Sequence, residues 1–165
     1  MTDLEFLEAY DGQSLDELLA METTHRIDSL VLAMETALEQ KAKCGPLSPE
    51  ERIILAIEGL EREINNGGYD QFFLNSSKEY ARDIEAALRA IGCPQQADIA
   101  KRAVAALNIV GAITPGAIEE AQAAGGDDLT DHLNELDNEY YGCDEPIADR
   151  LFTFVKQNRS IIRLS

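Results

Sequence analysis

The chain has 165 residues, of which 45% are hydrophobic, and its formal net charge is −17 at pH 7. This length and hydrophobic content predict one folded domain over residues 1–165 and exclude a disordered chain. The charge argues against direct binding to nucleic acid or to an anionic membrane, and no apolar run approaches the roughly 20 residues of a membrane-spanning helix. The N-terminus lacks the basic segment of a signal peptide and the three cysteines are widely spaced, which predicts a cytoplasmic protein with reduced thiols.

The hydrophobic periodicity is helical almost throughout the chain, so the sequence predicts an all-α fold. Ser14 and Glu17 form a capping box that opens a long helix, which is predicted to run to about Lys43. Ser48 is the predicted N-cap of a second helix, because a proline and two acidic residues follow it directly. This second helix is predicted to end at the Asn-Asn-Gly-Gly sequence of residues 65–68.

The second half of the chain divides into shorter predicted helices. An apolar turn over residues 69–74 leads to cap residues at 75–77 and then to the first of these helices. Together with the two earlier helices they predict a single compact domain of about seven to eight helices. The predicted helices of this half cover residues 79–91, 94–107, 116–124, 128–140 and 146–158.

The negative charge is concentrated in two stretches. Residues 1–25 contain seven acids and no Lys or Arg, and residues 103–149 contain eleven acids and no Lys or Arg. An ordinary soluble surface mixes both signs, so a field of one sign predicts a cationic partner. The predicted partner-binding acids are those of the C-terminal region 119–149: Glu119, Glu120, Asp127, Asp128, Asp131, Glu135, Asp137, Glu139, Asp144, Glu145 and Asp149.

Four of these acids lie on one side of the predicted helix 128–140. At 3.6 residues per turn, Asp128, Asp131, Glu135 and Glu139, here called the acidic row, fall within about 80° of one another. The row is about 16 Å long, and its carboxylates repeat at the helical i, i+3, i+4 spacing. This is a coarse copy of the phosphates along one DNA strand, which follow one another every 3.4 Å or so. The alternative interpretation is a solvated acidic face that only aids solubility.

Two further acids have an alternative local role. Asp144 and Glu145 come directly before the helix that starts at Pro146. There they are expected to interact favourably with the positive end of the helix dipole.

No motif predicts catalysis or a tightly bound cofactor. The sequence contains no phosphate-binding loop, dinucleotide-binding fingerprint, nucleophile elbow or calcium loop, so we predict a protein that is not an enzyme and holds no metal. Glu22 and His25 form only one half of a di-metal motif of helical bundles. Asp128, His132 and Glu135 share a helical face that is suited at most to a weak divalent ion.

The most distinctive segment lies at residues 63–75. Gly67 or Gly68 is the predicted left-handed C-cap of the preceding helix, and the three aromatic residues are predicted to fill the core. The amides of Asn66, Gln71 and Asn75 are predicted to satisfy loose backbone groups. The residues of this hallmark segment, interpreted as a structural element, are Glu63, Asn65, Asn66, Gly67, Gly68, Tyr69, Gln71, Phe72, Phe73 and Asn75.

This segment resembles the hallmark of a bacterial family of DNA mimic proteins of the neisserial type, which is also described as a domain of unknown function. The similarity extends through Leu47-Ser48, Ala87-Leu88, Ile91-Gly92 and the Leu136-Asp137-x-x-Tyr140-Tyr141 segment, and so covers residues 14–158. The resemblance implies a helical homodimer that occupies the DNA-binding surface of a helix-turn-helix transcription regulator. It implies no catalytic residue.

Charge and resemblance together favour DNA mimicry, in which the acids keep a basic regulator away from its operator. Two alternatives stay open. One is an immunity or antitoxin-like inhibitor of a basic nuclease toxin, which would use the same electrostatics. The other is a metal-dependent enzyme that uses Asp128, His132 and Glu135.

Overall fold

The computed structural model describes residues 3–165, and its secondary structure is helical. Over this range the only β-structure is one isolated bridge between Glu5 and His25. The prediction of an all-α fold is therefore confirmed, with seven α-helices and two 3₁₀ turns at Met21–Thr23 and Ser76–Tyr80. The helices are α1 (Leu15–Ala20), α2 (Ile27–Ala42), α3 (Pro49–Leu74), α4 (Ile84–Ala90), α5 (Pro94–Ala106), α6 (Pro115–Gly142) and α7 (Ile147–Gln157).

The described chain forms two compact units, and the boundary between them falls within α3. One unit comprises residues 3–58 and Pro146–Ser165, and the other comprises Gly59–Glu145. The first unit contains α1, α2, the first part of α3 and α7. Its core includes Leu30 and Met34 of α2 with Leu151 and Val155 of α7, each at most 1% exposed.

The prediction of one long helix from Ser14 to about Lys43 is wrong. The capping box of Ser14 and Glu17 is present, but α1 ends at Ala20 and α2 begins only at Ile27. Between them the backbone bonds to the N-terminal segment, because Glu5 N–H donates to Thr24 O at 3.0 Å and Arg26 N–H donates to Glu5 O at 2.8 Å. Arg26 is therefore extended, with φ −67° and ψ 132°, and the helix is interrupted.

The start of α3 is held by a buried carboxylate. Ser48 is the N-cap as predicted, because its Oγ accepts the Glu51 N–H at 3.1 Å and Glu51 Oε2 accepts the Ser48 N–H at 3.0 Å. Glu51 also accepts hydrogen bonds from Lys41 Nζ at 2.9 Å and from the Arg163 N–H at 2.8 Å. Burial by itself raises the pKa of Glu51, but these donors outweigh it and lower the pKa, so the carboxylate stays charged in the core.

In the second unit, two predicted boundaries are wrong. Residues 69–74 are helical and belong to α3 rather than to a turn. The predicted helix over 79–91 is shorter at its start, because Ser76–Tyr80 forms a 3₁₀ turn and α4 begins at Ile84. Asn75 is extended and provides no side-chain cap; its amide donates instead to Glu63 Oε2 at 2.7 Å.

Helix α6 joins two segments that the sequence predicts as separate helices. Thr114 is its N-cap, with Oγ1 accepting the Ala117 N–H at 3.2 Å. The predicted break at residues 125–126 is present as a kink, where Gly126 has φ 57° and ψ −155°. The helix resumes at once beyond this residue, so the acidic row lies on the regular second part of α6.

Candidate functional site

The second part of α6 presents one apolar side and one acidic side. Leu129, Leu133, Leu136 and Tyr140 are buried, as the periodicity predicts. All four members of the acidic row are exposed, and so is Asp127. The carboxylates therefore face solvent along about three turns of helix.

Arginine and lysine side chains from α5 and from the 3₁₀ turn Ser76–Tyr80 pair with two of the predicted partner-binding acids. Arg102 of α5 donates to both oxygens of Glu139 and lowers the pKa of that carboxyl group. Lys78 Nζ lies 2.6 Å from Glu119 Oε1. The end of the acidic row is thus paired, although no Lys or Arg occurs near it in the sequence.

The acids around the start of the row have no cationic partner within the described residues. Within residues 3–165 no ion pair involves Glu120, Asp127, Asp128 or Asp131; these four are called the unpaired acids below. Glu135 has only His132 nearby, at 3.8 Å. The unpaired acids therefore lie on both sides of the kink at Gly126, and three of the four follow it directly.

Asp137 does not belong to this exposed surface. Its side chain is buried at 9% exposure, and its Oδ1 accepts the buried Tyr69 N–H at 2.8 Å. Burial raises the pKa of Asp137, and the Tyr69 N–H partly opposes this. Asp137 is thus a structural partner of the hallmark segment, and we omit it from the candidate surface.

The structure gives Glu145 a role in capping rather than at the surface. Its two carboxylate oxygens accept the N–H groups of Gln95 and Gln96, both at 2.9 Å. Glu145 therefore caps the N-terminus of α5, not the start of α7 as predicted, and it stabilises the positive end of the α5 dipole. Asp144 and Asp149 are exposed.

The hallmark segment folds around a glycine that no other residue can replace without strain. Gly68, with φ 79° and ψ −167°, is in a region of backbone conformation that is essentially restricted to glycine. Gly67 has φ −173° and ψ 16°, so of the two predicted glycines only Gly68 has a positive φ. Tyr69, Phe72 and Phe73 beyond it are fully buried, which confirms the predicted core role of the aromatics.

The amides of this segment act differently from the prediction. The Tyr69 N–H is satisfied by Asp137 rather than by Asn66, Gln71 or Asn75. The Asn75 amide donates to the buried Glu63 rather than to a backbone group. A side-chain partner about 70 residues away in the sequence therefore stabilises the turn.

Glu61 of α3 is a partly buried acid that the sequence does not single out. Burial raises its pKa from 4.5 to about 7. Its charge also raises the pKa of the buried Tyr69, after the larger effects of burial and Asp137. Nothing in the local sequence distinguishes Glu61 from the solvated acids, because its environment is set by the packing of other segments.

Glu61→Gln is expected to stabilise the protein at neutral and alkaline pH. The folded chain binds the Glu61 proton more tightly than the unfolded chain, so the free energy of unfolding falls as pH rises from 4.5 to about 7. Glutamine removes this loss, and we expect a gain of about 1–2 kcal/mol at pH 8 and little difference at pH 4.5. Urea unfolding of both proteins at pH 8 and at pH 4.5 measures this difference in the free energy of unfolding.

Glu39→Gln is the control for this experiment, because Glu39 is an exposed helical acid and its loss changes the net charge equally. An equal gain for both variants would mean that general charge repulsion, not the burial of Glu61, is responsible.

The side chains proposed for metal binding are not arranged as a metal site. Between residues 3 and 165, no group of three or more His, Cys, Asp or Glu side chains is placed to hold a metal ion. Glu22 bonds to Lys156 Nζ, and His25 lies 3.8 Å from Glu5. No helix in the described part is long and apolar enough to cross a membrane.

Comparison with known proteins assigns the chain to a family. Residues 45–158, more than half of the chain, match the family described as DMP19-like protein. No curated protein and no solved structure gives a significant match. The match contains the hallmark segment, its partner Asp137 and the acidic row. The chain therefore belongs to the DMP19-like family of DNA mimic proteins.

Proposed function

We propose that this protein is a DNA mimic that binds the DNA-binding surface of a helix-turn-helix transcription regulator and keeps it off its operator. The observation that carries the proposal is the set of unpaired acids on α6 in a chain of the DMP19-like family. Three of them lie on the second part of α6, whose opposite side is buried, so the backbone that carries them is held in place before a partner binds. A backbone that is already ordered adds little to the entropy lost on binding.

The proposed contact surface is smaller than the full set of acids between residues 119 and 149. Glu139 and Glu119 are paired with Arg102 and Lys78, so a partner would have to compete with an internal cation at these positions. The surface proposed here therefore consists of the four unpaired acids and Glu135. Asp144 and Asp149 are exposed acids outside α6, and we assign them only to the general negative field.

The remaining parts of the proposal follow from the resemblance and the charge. The protein acts as a homodimer in the cytoplasm, without catalysis and without binding nucleic acid itself. A protein with a net charge of −17 repels DNA and attracts the basic surface that DNA would occupy. The inhibition should therefore weaken as salt is added.

The test is a tagged pull-down from the native cytoplasm with elution by a salt gradient and identification by mass spectrometry. The proposal expects one helix-turn-helix regulator to leave at a defined salt step. In a second assay, this regulator should be displaced from its operator by the purified protein. A basic nuclease in the same fraction would favour the toxin-inhibitor alternative, and a diffuse set of basic proteins lost at low salt would contradict both.

A further inference from the structure

A groove of about 870 Å³ lies beside the unpaired acids. One wall is the end of α5 with the loop after it, and the other is α6 on both sides of its kink. Eight of the thirteen lining residues are Ala, Leu, Ile or Val, among them Ile109, Val110, Ala121 and Leu129. The groove is within the size range of ligand sites, and it is open to solvent along one side.

The loop that borders the groove holds an apolar side chain in solvent. Val110 is 100% exposed. It lies between Asn108 with φ 52° and Gly111 with φ 97°, and Asn108 is the one non-glycine residue with a positive φ among residues 3–165. Asparagine and glycine adopt this conformation at the least cost, so the local sequence is suited to projecting Val110 outward.

The charge beside the groove has one sign. Glu120 and Asp128 line it, and both belong to the unpaired acids. The sole basic side chain in the lining is His132, which lies near Glu135. The groove thus combines several aliphatic side chains with two carboxylates that form no ion pair, and an occupant that complements both must carry apolar groups and positive charges on adjoining faces.

We propose that this groove receives a cationic amphipathic helix of the protein partner. Apolar side chains of the helix lie between Val110 and Ala121, and its Lys or Arg side chains pair with Glu120 and Asp128. This is the helix-in-groove type of recognition, extended by charge complementarity. The inference rests on the proposed function and deepens it, because carboxylates alone would attract any basic surface, whereas the aliphatic groove selects a partner with a helix of this kind.

Two labelled peptides and the full-length protein test this inference by fluorescence anisotropy. The first peptide is a helix of about 18 residues with Leu on one face and Arg on the other, and the second has the same composition in scrambled order. We expect the amphipathic peptide to bind about tenfold more tightly than the scrambled peptide, because only the first presents both faces together.

Ala124→Trp is the variant that should abolish this preference. Ala124 is exposed and lines the groove, so an indole ring there would obstruct the groove without changing the charge. The ratio of the two dissociation constants should fall to about one. Ala86→Trp is the matched control, because Ala86 is an exposed alanine of α4 outside the groove. This variant should retain the ratio of the two dissociation constants.

Val110→Ser is a second variant, at a fully exposed position. It should lower the ratio of the two dissociation constants without affecting the fold.

The possible failures are distinguishable. If the wild-type protein binds both peptides equally, or if Ala124→Trp and Val110→Ser both keep the tenfold ratio, the groove inference is overturned while the acidic surface stands. If neither peptide binds at low salt, the cation-binding surface itself is overturned, and the proposed function falls with it.

Discussion

Gly68→Ala is expected to destabilise the protein by about 3–5 kcal/mol, which is a large part of the 5–15 kcal/mol typical of a folded domain. The new Cβ would overlap Asp137 Oδ2 in a backbone conformation that costs a non-glycine residue about 1–3 kcal/mol. Displacing Asp137 would also leave the Tyr69 N–H buried without an acceptor, at about 1–3 kcal/mol more. Urea unfolding followed by circular dichroism measures the loss.

Gly67→Ala is the matched control for this prediction. Gly67 has no positive φ, and its Cβ would meet only Gln71, with Oε1 at 2.9 Å and Cβ at 3.1 Å, rather than a buried carboxylate. We expect a loss below about 1 kcal/mol. The cost of Gly68→Ala should also be smaller in an Asp137→Ala background, because both changes affect one contact. Equal costs at the two glycines, or full additivity with Asp137→Ala, would contradict the proposed contact.

Reversing the charges of Asp128, Asp131 and Glu135 to lysine is expected to weaken binding of the captured regulator about 100-fold. This assumes about 1 kcal/mol for each reversal at an interface of complementary charge. The dependence of affinity on salt should decrease as well, because fewer charge pairs remain to be screened. Titration of the regulator at several salt concentrations measures both effects.

A second triple variant separates the local surface from the overall charge. Glu8, Asp11 and Glu39 are exposed acids elsewhere in the chain. Their reversal to lysine also changes the net charge by six, from −17 to −11. We expect this variant to bind within about threefold of wild type, since its changes act only through the screened long-range field. Equal weakening by both triple variants would contradict the assignment of the binding surface to α6.

Local chemistry explains which structural predictions succeed. The helix starts at Ser14 and Ser48 depend on a side chain and a backbone N–H three residues apart, and they are present as predicted. The stripe from Leu129 to Tyr140 follows from helical periodicity alone. The glycine break of the hallmark segment also depends on a local property, the backbone conformations that glycine allows. The burial of its aromatic residues follows from their hydrophobicity.

Contacts between distant segments explain the predictions that fail. The predicted long helix is interrupted because the backbone of Glu5 bonds to Thr24 and Arg26, about 20 residues later. The capping role of Glu145 depends on the first turn of α5, which is 49 or 50 residues away in sequence. Periodicity and cap preferences contain no information about either contact.

The sequence by itself determined that this protein is helical and strongly acidic and that it contains the hallmark segment. Composition, helical period and cap chemistry are local properties of a sequence. Only the tertiary structure decided which acids are available to a partner. It pairs Glu139 with Arg102 and Glu119 with Lys78, buries Asp137 beneath the hallmark segment, and leaves the unpaired acids beside an aliphatic groove. The reason is physical: the effective charge of a carboxylate depends on its neighbours in space, and folding brings those neighbours from other helices.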